Sequence, residues 1–390
     1  MTTTHGALHG LRVIELAAIG PVPMAGMLLA DHGAEVTRID RLVPSGLGLN
    51  MAHEHDVHAR HRRSLALDLK ATEGRDALLH VLDNADVLLE GFRPGVLERL
   101  GLAPEALLAR NPRLVVGRMT GYGQTGPLAQ AAGHDLNYLA LTGVLDAIGP
   151  AQGAPLPPLN LVADYGGGAM FLAFGVMAAL FERQRSGLGQ VVDAAMVDGV
   201  AAMAGIFQGL RAAGEWQAQR GSNLLDGGAP FYACYAAADG HWLAVAALEP
   251  KFFAALVKGV GLDPVWTQQQ HDRQRWPALR AGLTVMFQTR SRDDWCDLLA
   301  GTDACVSPVL SFAQAPLHAH AQARAAYTSV GEGVGAGQVA QPAAAPRLGR
   351  SAQRLPGPAP RPGSHTVAIL QEAGLSASEI ESLLAAGVAR

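Results

Sequence analysis

Two short stretches combine titratable side chains with glycine inside apolar surroundings. The first is Gly133-His134-Asp135-Leu136-Asn137-Tyr138, and the second runs from Asn160 through Asp164 to Gly168. Each pattern is typical of a helix that begins where an extended segment ends. Free backbone N–H groups and the positive end of the helix dipole lie at such a start, where they would stabilise an oxyanion. The competing interpretation is structural, with Asp164 as an ordinary N-cap and His134 as a polar turn residue.

Other polar groups are also open to two interpretations. Glu249 ends a predicted strand just before a proline-started helix, which is a usual position for a cap. The histidines of one stretch lack the helical zinc-binding spacing, so no metal site is predicted for His53, His55, His58 and His61. Basic residues near strand ends suit either a phosphorylated ligand or a solvated rim. They are Arg38, Arg41, Arg60, Arg62, Arg63, Lys70, Arg93 and Arg99.

The elements that must position these residues alternate between strand and helix in the first half of the chain. The predicted strands are Arg12–Leu16, Glu35–Asp40, Ser64–Leu69, Asp86–Gly91, Arg113–Met119 and Gln190–Met196. The predicted helices are Pro21–Asp31, Thr72–Leu82, Pro104–Arg110, Asp164–Arg183 and Val197–Leu210. This alternation predicts an α/β domain built on a doubly wound, Rossmann-like parallel sheet. Ligands of such sheets bind beyond the carboxyl ends of the strands.

The pattern changes near position 225. Phe231–Ala238 and His241–Ala247 flank an Asp239-Gly240 turn, which predicts a β-hairpin in a smaller α+β domain. We therefore expect a large domain over residues 1–224 and a small domain over 225–325. Residues 326–390 are expected to form a Gly/Pro-rich linker and a C-terminal segment that returns to the large domain. Residues 17–28 contain no G-x-G-x-x-G, which disfavours a dinucleotide-binding protein.

Composition limits the classes of protein further. The 390 residues are 49% hydrophobic and 16% charged, which excludes a disordered chain, and the net charge of −4 disfavours a nucleic-acid binder. Three widely spaced cysteines fit a reducing compartment. The N-terminal residues lack the pattern of a signal peptide, and the apolar run from Gly166 to Phe181 is short for a membrane span. We therefore expect a cytoplasmic protein without membrane partners.

Several ordered segments resemble family III CoA-transferases of the CaiB/BaiF type. They include LRVIELAAIGPVPMAGMLLADHGAEVTRIDR, SLALDLK, ADVLLEGFRPGVLERLGL, RMTGYGQTGP, AGHDLNYLALTGVL, PPLNLVADYGGGAMF, GQVVDAAMVDG, LLDGGAPFY and DACVSPVL. The resemblance is strongest to the branch whose members racemise 2-methylacyl-CoA thioesters. The Gly-His-Asp segment that contains His134 marks this branch, because relatives that transfer CoA usually lack the histidine.

The resemblance implies a role for particular residues. His134 and Asp164 would be the two catalytic bases, and Glu249 would orient and polarise the histidine. Binding of CoA would fall to Arg41, Leu67, Asp68, Leu69, Lys70, Arg93 and Arg99, and the thioester end would be lined by Gly133, Asp135, Leu136, Asn137 and Tyr138. The resemblance also implies an interlocked homodimer, whose active site lies between the large domain of one subunit and the small domain of the other.

The implied reaction interconverts (R)- and (S)-2-methylacyl-CoA through an enolate. Inversion requires one group to remove the α-proton and another to return it on the opposite face, and the Asp135 N–H is the candidate oxyanion donor. CoA belongs to the substrate, so no separate cofactor is expected. The alternatives are a family III CoA-transferase with Asp164 as nucleophile and a non-catalytic acyl-CoA binding protein.

Overall fold

The computed structural model describes residues 5–43, 46–49, 51–330 and 339–390. These residues divide into two compact units. Unit 1 comprises the described residues of Met1–Thr142, Leu159–Met203 and Ala319–Arg390, and unit 2 comprises Gly143–Pro158 and Ala204–His318. The second unit thus includes residues 204–224, which the sequence analysis assigned to the large domain.

Unit 1 is built on a six-stranded parallel sheet. Its strands are β1 (Arg12–Leu16), β2 (Glu35–Asp40), β3 (Arg62–Ala66), β4 (Val87–Glu90), β5 (Val115–Thr120) and β6 (Val191–Ala195). The strand order is β3-β2-β1-β4-β5-β6, and every neighbouring pair is parallel. The order reverses direction between β1 and β4, which is the point where open α/β sheets bind ligands. The predicted α/β sheet is confirmed.

Helices connect these strands. They are α1 (Pro21–Asp31), α2 (Thr72–Leu82), α3 (Val96–Arg99), α4 (Pro104–Arg110), α5 (Asp135–Leu141), α6 (Met170–Ser186) and α7 (Met196–Met203). A π-helical segment, Leu161–Ala169, leads directly into α6. Apolar side chains from both elements form the core, as when Leu172 and Val176 of α6 lie against Gly117 of β5. Burial of this apolar surface is the main force that holds the helices on the sheet.

Unit 2 contains α8 (Gly205–Ala212), α9 (Pro250–Val260), α10 (Trp276–Phe287) and α11 (Arg292–Leu299). Its antiparallel sheet has the order β7-β8-β9, with β7 at Tyr232–Ala236, β8 at Trp242–Ala246 and β9 at Val306–Pro308. The predicted hairpin is therefore confirmed, and its turn has Gly240 at a φ of +76°, where glycine carries no steric penalty. Phe231, Phe253 and Trp295 are central to the core of this unit.

The remaining segment packs within unit 1. It contains α12 (Ala319–Ala323), β10 (Tyr327–Val330), β11 (Val339–Pro342), α13 (Thr366–Glu372) and α14 (Ala377–Ala385). The predicted Ser376–Glu379 capping box is present at the start of α14. Beyond this helix, Ala389 forms a bridge with Leu67, and the Arg390 N–H donates to the Ala66 carbonyl.

Three sequence-based boundaries were wrong. The strand predicted at Ser64–Leu69 is β3 at Arg62–Ala66, because Arg62 is buried in an ion pair that hydrophobic alternation cannot show. The helix predicted at Val197–Leu210 is two helices, since the apolar pattern continues across the break at Ala204. The helix predicted from Asp164 begins earlier, so the continuous helical segment Leu161–Ser186 is long and apolar enough to cross a membrane by length and composition alone.

Candidate active site

A cavity of about 270 Å³ lies at the topological switch point of the unit 1 sheet. Its walls come from the carboxyl ends of β1, β2 and β4 together with the returning C-terminal segment. The lining residues are Ala17, Ala18, Ile19, Asp40, Arg41, Val43, Leu47, Gly91, Phe92, Pro362 and Arg390. Two basic residues, Arg41 and Arg390, and one acid, Asp40, belong to this lining, and the acid is paired with Arg38. The two arginines suit the phosphates of a nucleotide.

Asp164 lies beside the loop that forms one wall of this cavity. A Cβ atom at position 20 would lie 3.1 Å from Asp164 Oδ2, and Gly20 is next in the chain to the cavity residue Ile19. The same oxygen accepts a hydrogen bond of 3.1 Å from Asn160 Nδ2. Burial is the main cause that raises the pKa of Asp164, and the nearby Asp135 charge adds to it. The environment therefore moves this carboxyl towards the range of a working base.

The structural interpretation of Asp164 as an N-cap was wrong. Asn160 occupies the N-cap position, and Asp164 lies inside the first turn of the π-helical segment. Its backbone N–H donates a 2.9 Å hydrogen bond to Asp135 Oδ2. Its side chain is consequently not used to cap its own helix and is free for another role.

His134 is held at the start of α5. Its backbone is extended, with a φ of −133° and a ψ of 176°, and its N–H donates to Asn137 Oδ1 at 3.1 Å. The imidazole is exposed and lies close enough to Asp164 to lower the pKa of that carboxyl. The two predicted bases are therefore neighbours in unit 1, and Asp135 links the segments that carry them.

The predicted thioester-end residues surround this histidine. Tyr138 is buried, and its hydroxyl donates to the Gly133 carbonyl, while a Cβ atom at position 133 would lie 2.8 Å from atoms of Tyr122 and Tyr138. Gly133 is therefore required for close packing. Burial is the main cause that raises the pKa of Tyr138 to about 12, so its hydroxyl keeps its proton near neutral pH. Leu136 is exposed on the same helix.

The predicted CoA-binding residues fall into two groups. Arg41, Lys70, Arg93 and Arg99 are exposed cations near strand ends. Leu67 and Leu69 instead place their side chains in the core or against it. Leu67 is buried as a whole, and its N–H donates to the Asp40 carbonyl. Asp68 organises the same loop, because its Oδ1 accepts the Lys70 N–H at 3.0 Å.

Four arginines of the basic group form ion pairs within unit 1. Arg60 is buried against Asp31, Arg62 against Glu15, Arg38 pairs with Asp40, and Arg63 pairs with Glu372. For Arg60 and Arg62 both sequence-based interpretations were wrong, since a fully buried and paired guanidinium is neither a solvated rim nor a free phosphate ligand. The sequence could not show the pairs of Arg60, Arg62 and Arg63, because their partners are distant in the chain.

The His-rich stretch forms two short 3₁₀ helices, His53–His55 and Val57–Ala59. His58 contacts the ring of Tyr165 edge-on, which brings this stretch to the residue after Asp164. Burial is the main cause that lowers the pKa of His61 to about 4. Over the ranges that the structure describes, no three His, Cys, Asp or Glu side chains converge as metal ligands would.

Glu249 belongs to unit 2. It is exposed, precedes Pro250 at the N-cap of α9 and accepts the backbone N–H groups of Phe252 and Phe253 through its carbonyl oxygen. Its side chain makes no capping hydrogen bond to α9. The carboxylate is therefore not used by its own helix.

Three residues of this region were missed by the sequence analysis. Gly20 has a φ of +69°, and the Gly-Pro pair that it begins was a visible mark of an unusual turn. The sequence analysis named Asn160 only as the first residue of a motif, although its side-chain amide donates a hydrogen bond to the Asp164 carboxylate. Arg390 carried no local pattern, because its place in the cavity depends on contacts with residues more than 300 positions away.

Comparison with known proteins now identifies the class. The family model of CoA-transferase family III matches residues 8–366. The chain belongs to this family. The chain is 46% identical over 381 residues to the alpha-methylacyl-CoA racemase of Mus musculus, and the match covers 96% of both chains. It is 42% identical over 381 residues to the alpha-methylacyl-CoA racemase of Homo sapiens, and that match covers 97% of this chain and 96% of the relative. A CaiB/BaiF family protein from Brucella suis has a similar structure, with a TM-score of 0.75, 25% identity and coverage of 95% of this chain and 100% of that one.

Proposed function

We propose that the protein is a racemase that interconverts (R)- and (S)-2-methylacyl-CoA thioesters. The observation that carries this proposal is the pair of His134 and Asp164, which lie on helix starts joined by Asp135. Asp164 also lies against Gly20, the neighbour in the chain of the cavity residue Ile19. Near-full-length similarity to named racemases supports the same activity. The shared family membership explains the fold but leaves CoA transfer as the alternative.

The two side chains supply the chemistry that inversion needs. One removes the α-proton of the thioester to give an enolate, and the other returns a proton to the opposite face. The two exchange acid and base roles when the reaction runs in reverse. Burial raises the pKa of Asp164, which brings this carboxyl closer to the working range of a general base. The backbone N–H of Asp135 is our candidate donor to the enolate oxygen, because the first N–H groups of a helix have no intrahelical acceptor.

We propose that the cavity at the switch point binds the phosphates of CoA. Arg41 and Arg390 would hold phosphate groups there, with Lys70, Arg93 and Arg99 as further exposed cations. The wall residue Ile19 is followed by Gly20, which lies against the Asp164 carboxylate. A ligand anchored in the cavity could therefore extend along this loop and place its thioester near both bases, using remote binding energy to orient the α-carbon.

The decisive experiment incubates an optically pure 2-methylacyl-CoA with the enzyme in deuterium oxide. We expect α-deuterium incorporation with loss of optical activity. Because each base serves one face, His134→Ala and Asp164→Asn should each lower racemisation by at least about 10²-fold, while CoA binding stays nearly unchanged. His9→Ala and Asp263→Asn are matched controls on exposed residues outside the site. Near wild-type racemisation by either site variant would remove that residue from the mechanism.

The same assay separates the alternatives. CoA transfer would use the Asp164 carboxylate to attack the thioester carbonyl, release the CoA thiolate and form a mixed anhydride. It would move CoA to an added free acid without α-exchange. A non-catalytic binding protein would give neither result. His134 favours racemisation, because a nucleophilic carboxylate needs no second base facing it.

Glu249 is proposed to orient and polarise His134. This role comes from the family resemblance, and it predicts that Glu249→Gln lowers kcat for racemisation with little change in KM, whereas the control Asp263→Asn leaves kcat unchanged. The acyl group is defined only as a 2-methyl-branched thioester, which includes branched fatty acyl, sterol side-chain and arylpropionyl classes. Cytoplasmic location and the lack of a cofactor beyond the CoA of the substrate stay predictions.

We also propose that a second copy of the chain covers the apolar face of α6, formed by Met170, Phe171, Phe174, Met177 and Phe181. Phe174 is 73% exposed and Phe181 is 64% exposed in the single chain. Aromatic side chains at i and i+7 share one helix face, and such contiguous apolar surface marks an interaction site. The opposite face is a core face, with Leu172 and Val176 fully buried, which favours a protein partner over a membrane-spanning role.

A further inference from the structure

The carboxylate of Asp135 connects the two segments that carry the proposed bases. Asp135 directly follows His134 and is only 5% exposed. Its Oδ2 accepts the backbone N–H of Ala163 at 2.8 Å and that of Asp164 at 2.9 Å. One side chain thus joins the start of α5 to the turn that presents the Asp164 carboxyl.

We infer that Asp135 is a positioning residue for the two bases: its carboxylate fixes the spacing between His134 and Asp164. This inference rests on the proposed racemase function. It concerns the side chain of Asp135 and is separate from the proposed use of its backbone N–H as an oxyanion donor.

Asp135 can position Asp164 because the π-helical segment begins with N–H groups that need acceptors. The first N–H groups of any helix have no acceptor within the helix, and the side chain of the N-cap residue Asn160 does not supply one here. Asp135 supplies the missing acceptor from 28 and 29 positions away. Because both hydrogen bonds go to one oxygen of a buried and charged group, the backbone at Asp164 cannot shift without losing them.

Asp135 also acts on Asp164 electrostatically, because it forms no ion pair with any residue that the structure describes. Its Oδ1 is buried with no hydrogen-bond partner among the described residues, and its Oδ2 is bonded only to neutral N–H groups. The charge is therefore not cancelled by an ion pair and acts on Asp164 through a short, partly desolvated path. It raises the pKa of Asp164, second to burial as a raising cause.

The other groups around Asp164 are few. Asn160 and His134 lower the pKa of the carboxyl, and Tyr138 faces it from α5 as a neutral hydroxyl. Helices α1 and α7 present apolar atoms of Pro21, Met196 and Met203 to the glycines that follow Asp164. Asp135 is thus the negatively charged group that can be removed to test the effect.

Two substitutions separate position from charge. Asp135→Asn keeps an oxygen that can accept both N–H groups but removes the charge, whereas Asp135→Ala removes the acceptor as well. We expect Asp135→Ala to lower kcat about 10- to 100-fold with less than about a 3-fold change in KM, since misplacement of a reacting group by about 1 Å can cost that much. Asp135→Asn should retain more of the rate.

The pH profile is the readout that a purely structural role would not move. For the enantiomer from which Asp164 removes the proton, the acidic limb of kcat/KM should shift to lower pH in Asp135→Asn. Direct titration of the Asp164 carboxyl by NMR should show the same downward shift without any assay of activity. Asp263→Asn is the matched control, because it removes the charge of a carboxylate that accepts a backbone N–H in unit 2.

The outcomes are distinguishable from failure of the proposed function. If the wild-type chain neither exchanges the α-proton nor racemises, the proposed function is wrong. If the wild-type chain racemises but Asp135→Asn leaves both the acidic limb and the Asp164 titration in place, the charge effect is wrong. If Asp135→Ala is folded by circular dichroism and keeps a wild-type kcat, the positioning effect is wrong. Should Asp135→Ala fail to fold, Asp135→Glu decides, because it keeps the charge but displaces the oxygen that accepts the two N–H groups. A wild-type kcat in Asp135→Glu would overturn the positioning effect.

Discussion

Gly20 limits the space around the proposed base Asp164. Its φ is +69°, and a Cβ atom at this position would lie 3.1 Å from the Asp164 carboxylate. We expect Gly20→Ala to lower kcat at least about 10-fold because the methyl group displaces the carboxyl from its position beside the substrate.

Gly10 provides the control for backbone strain. Its φ is +82°, and a Cβ atom there meets nothing within 4 Å. Both substitutions should reduce the free energy of unfolding by about 1–2 kcal/mol, which is the cost of a left-handed backbone for an L-residue. Stopped-flow or steady-state kinetics and urea unfolding on both variants check the prediction. Equal kcat values in the two variants would show that Gly20 acts only on the backbone.

At the level of residues, the sequence indicated which polar side chains come close together better than it indicated the burial and pairing of the residues around them. His134 and Asp164 were chosen from local motifs, and the structure places them near each other. The buried state of Arg60 and Arg62 was not predictable from the chain, since each depends on an acid brought close by the sheet. Arg390 was missed for the same reason.

Among the elements of unit 1, β3 depends on an ion pair that crosses the sheet. Arg62 of β3 donates to Glu15 of β1 at 2.8 Å, and both side chains are fully buried. We expect Glu15→Ala to reduce the free energy of unfolding by about 3–5 kcal/mol, because it leaves a buried guanidinium without its partner.

The pair between Arg63 and Glu372 is the matched comparison on the same strand. It joins β3 to α13 at 2.6 Å but is largely exposed to solvent. Glu372→Ala should therefore cost less than about 1 kcal/mol. Urea unfolding at neutral pH measures both values. A loss for Glu15→Ala as small as that for Glu372→Ala would contradict the structural role of the buried pair.

The first-half elements were predictable because parallel strands buried on both faces leave short apolar runs between amphipathic helices. Strand β1, strand β2 and helices α1, α2 and α4 have the predicted bounds. The break between α7 and α8 was not predictable, because Ala204 and Gly205 interrupt the backbone without interrupting the apolar pattern. Hydrophobic periodicity reports which residues are buried and not where one helix stops.

For the whole molecule, the proposal that a second copy covers the apolar face of α6 can be tested by measuring the mass in solution. If a second copy covers it, sedimentation equilibrium should give about 81 kDa, which is twice the 40.6 kDa of one chain. The double substitution of Phe174 and Phe181 by Glu should weaken the dimer, because charges would replace apolar area at the contact.

Leu355→Glu is the control for that experiment. Leu355 is 79% exposed and lies outside the apolar face of α6, so the substitution places a glutamate at another exposed apolar position and adds one charge where the double variant adds two. We expect this variant to retain the wild-type mass. A monomeric wild-type chain, or an unchanged mass in the double variant, would show that a second copy does not cover this face.

The joint lining of one cavity by Arg41 and Arg390 has a consequence for the order of folding. These residues are about 350 positions apart, so their meeting closes a very long loop and contributes strongly to contact order. Local hairpins and helical turns form without this closure. We therefore expect the cavity to form in a slow kinetic phase, after most secondary structure has formed. We also expect a bound thioester to protect β3 and Ala389 together from amide hydrogen exchange.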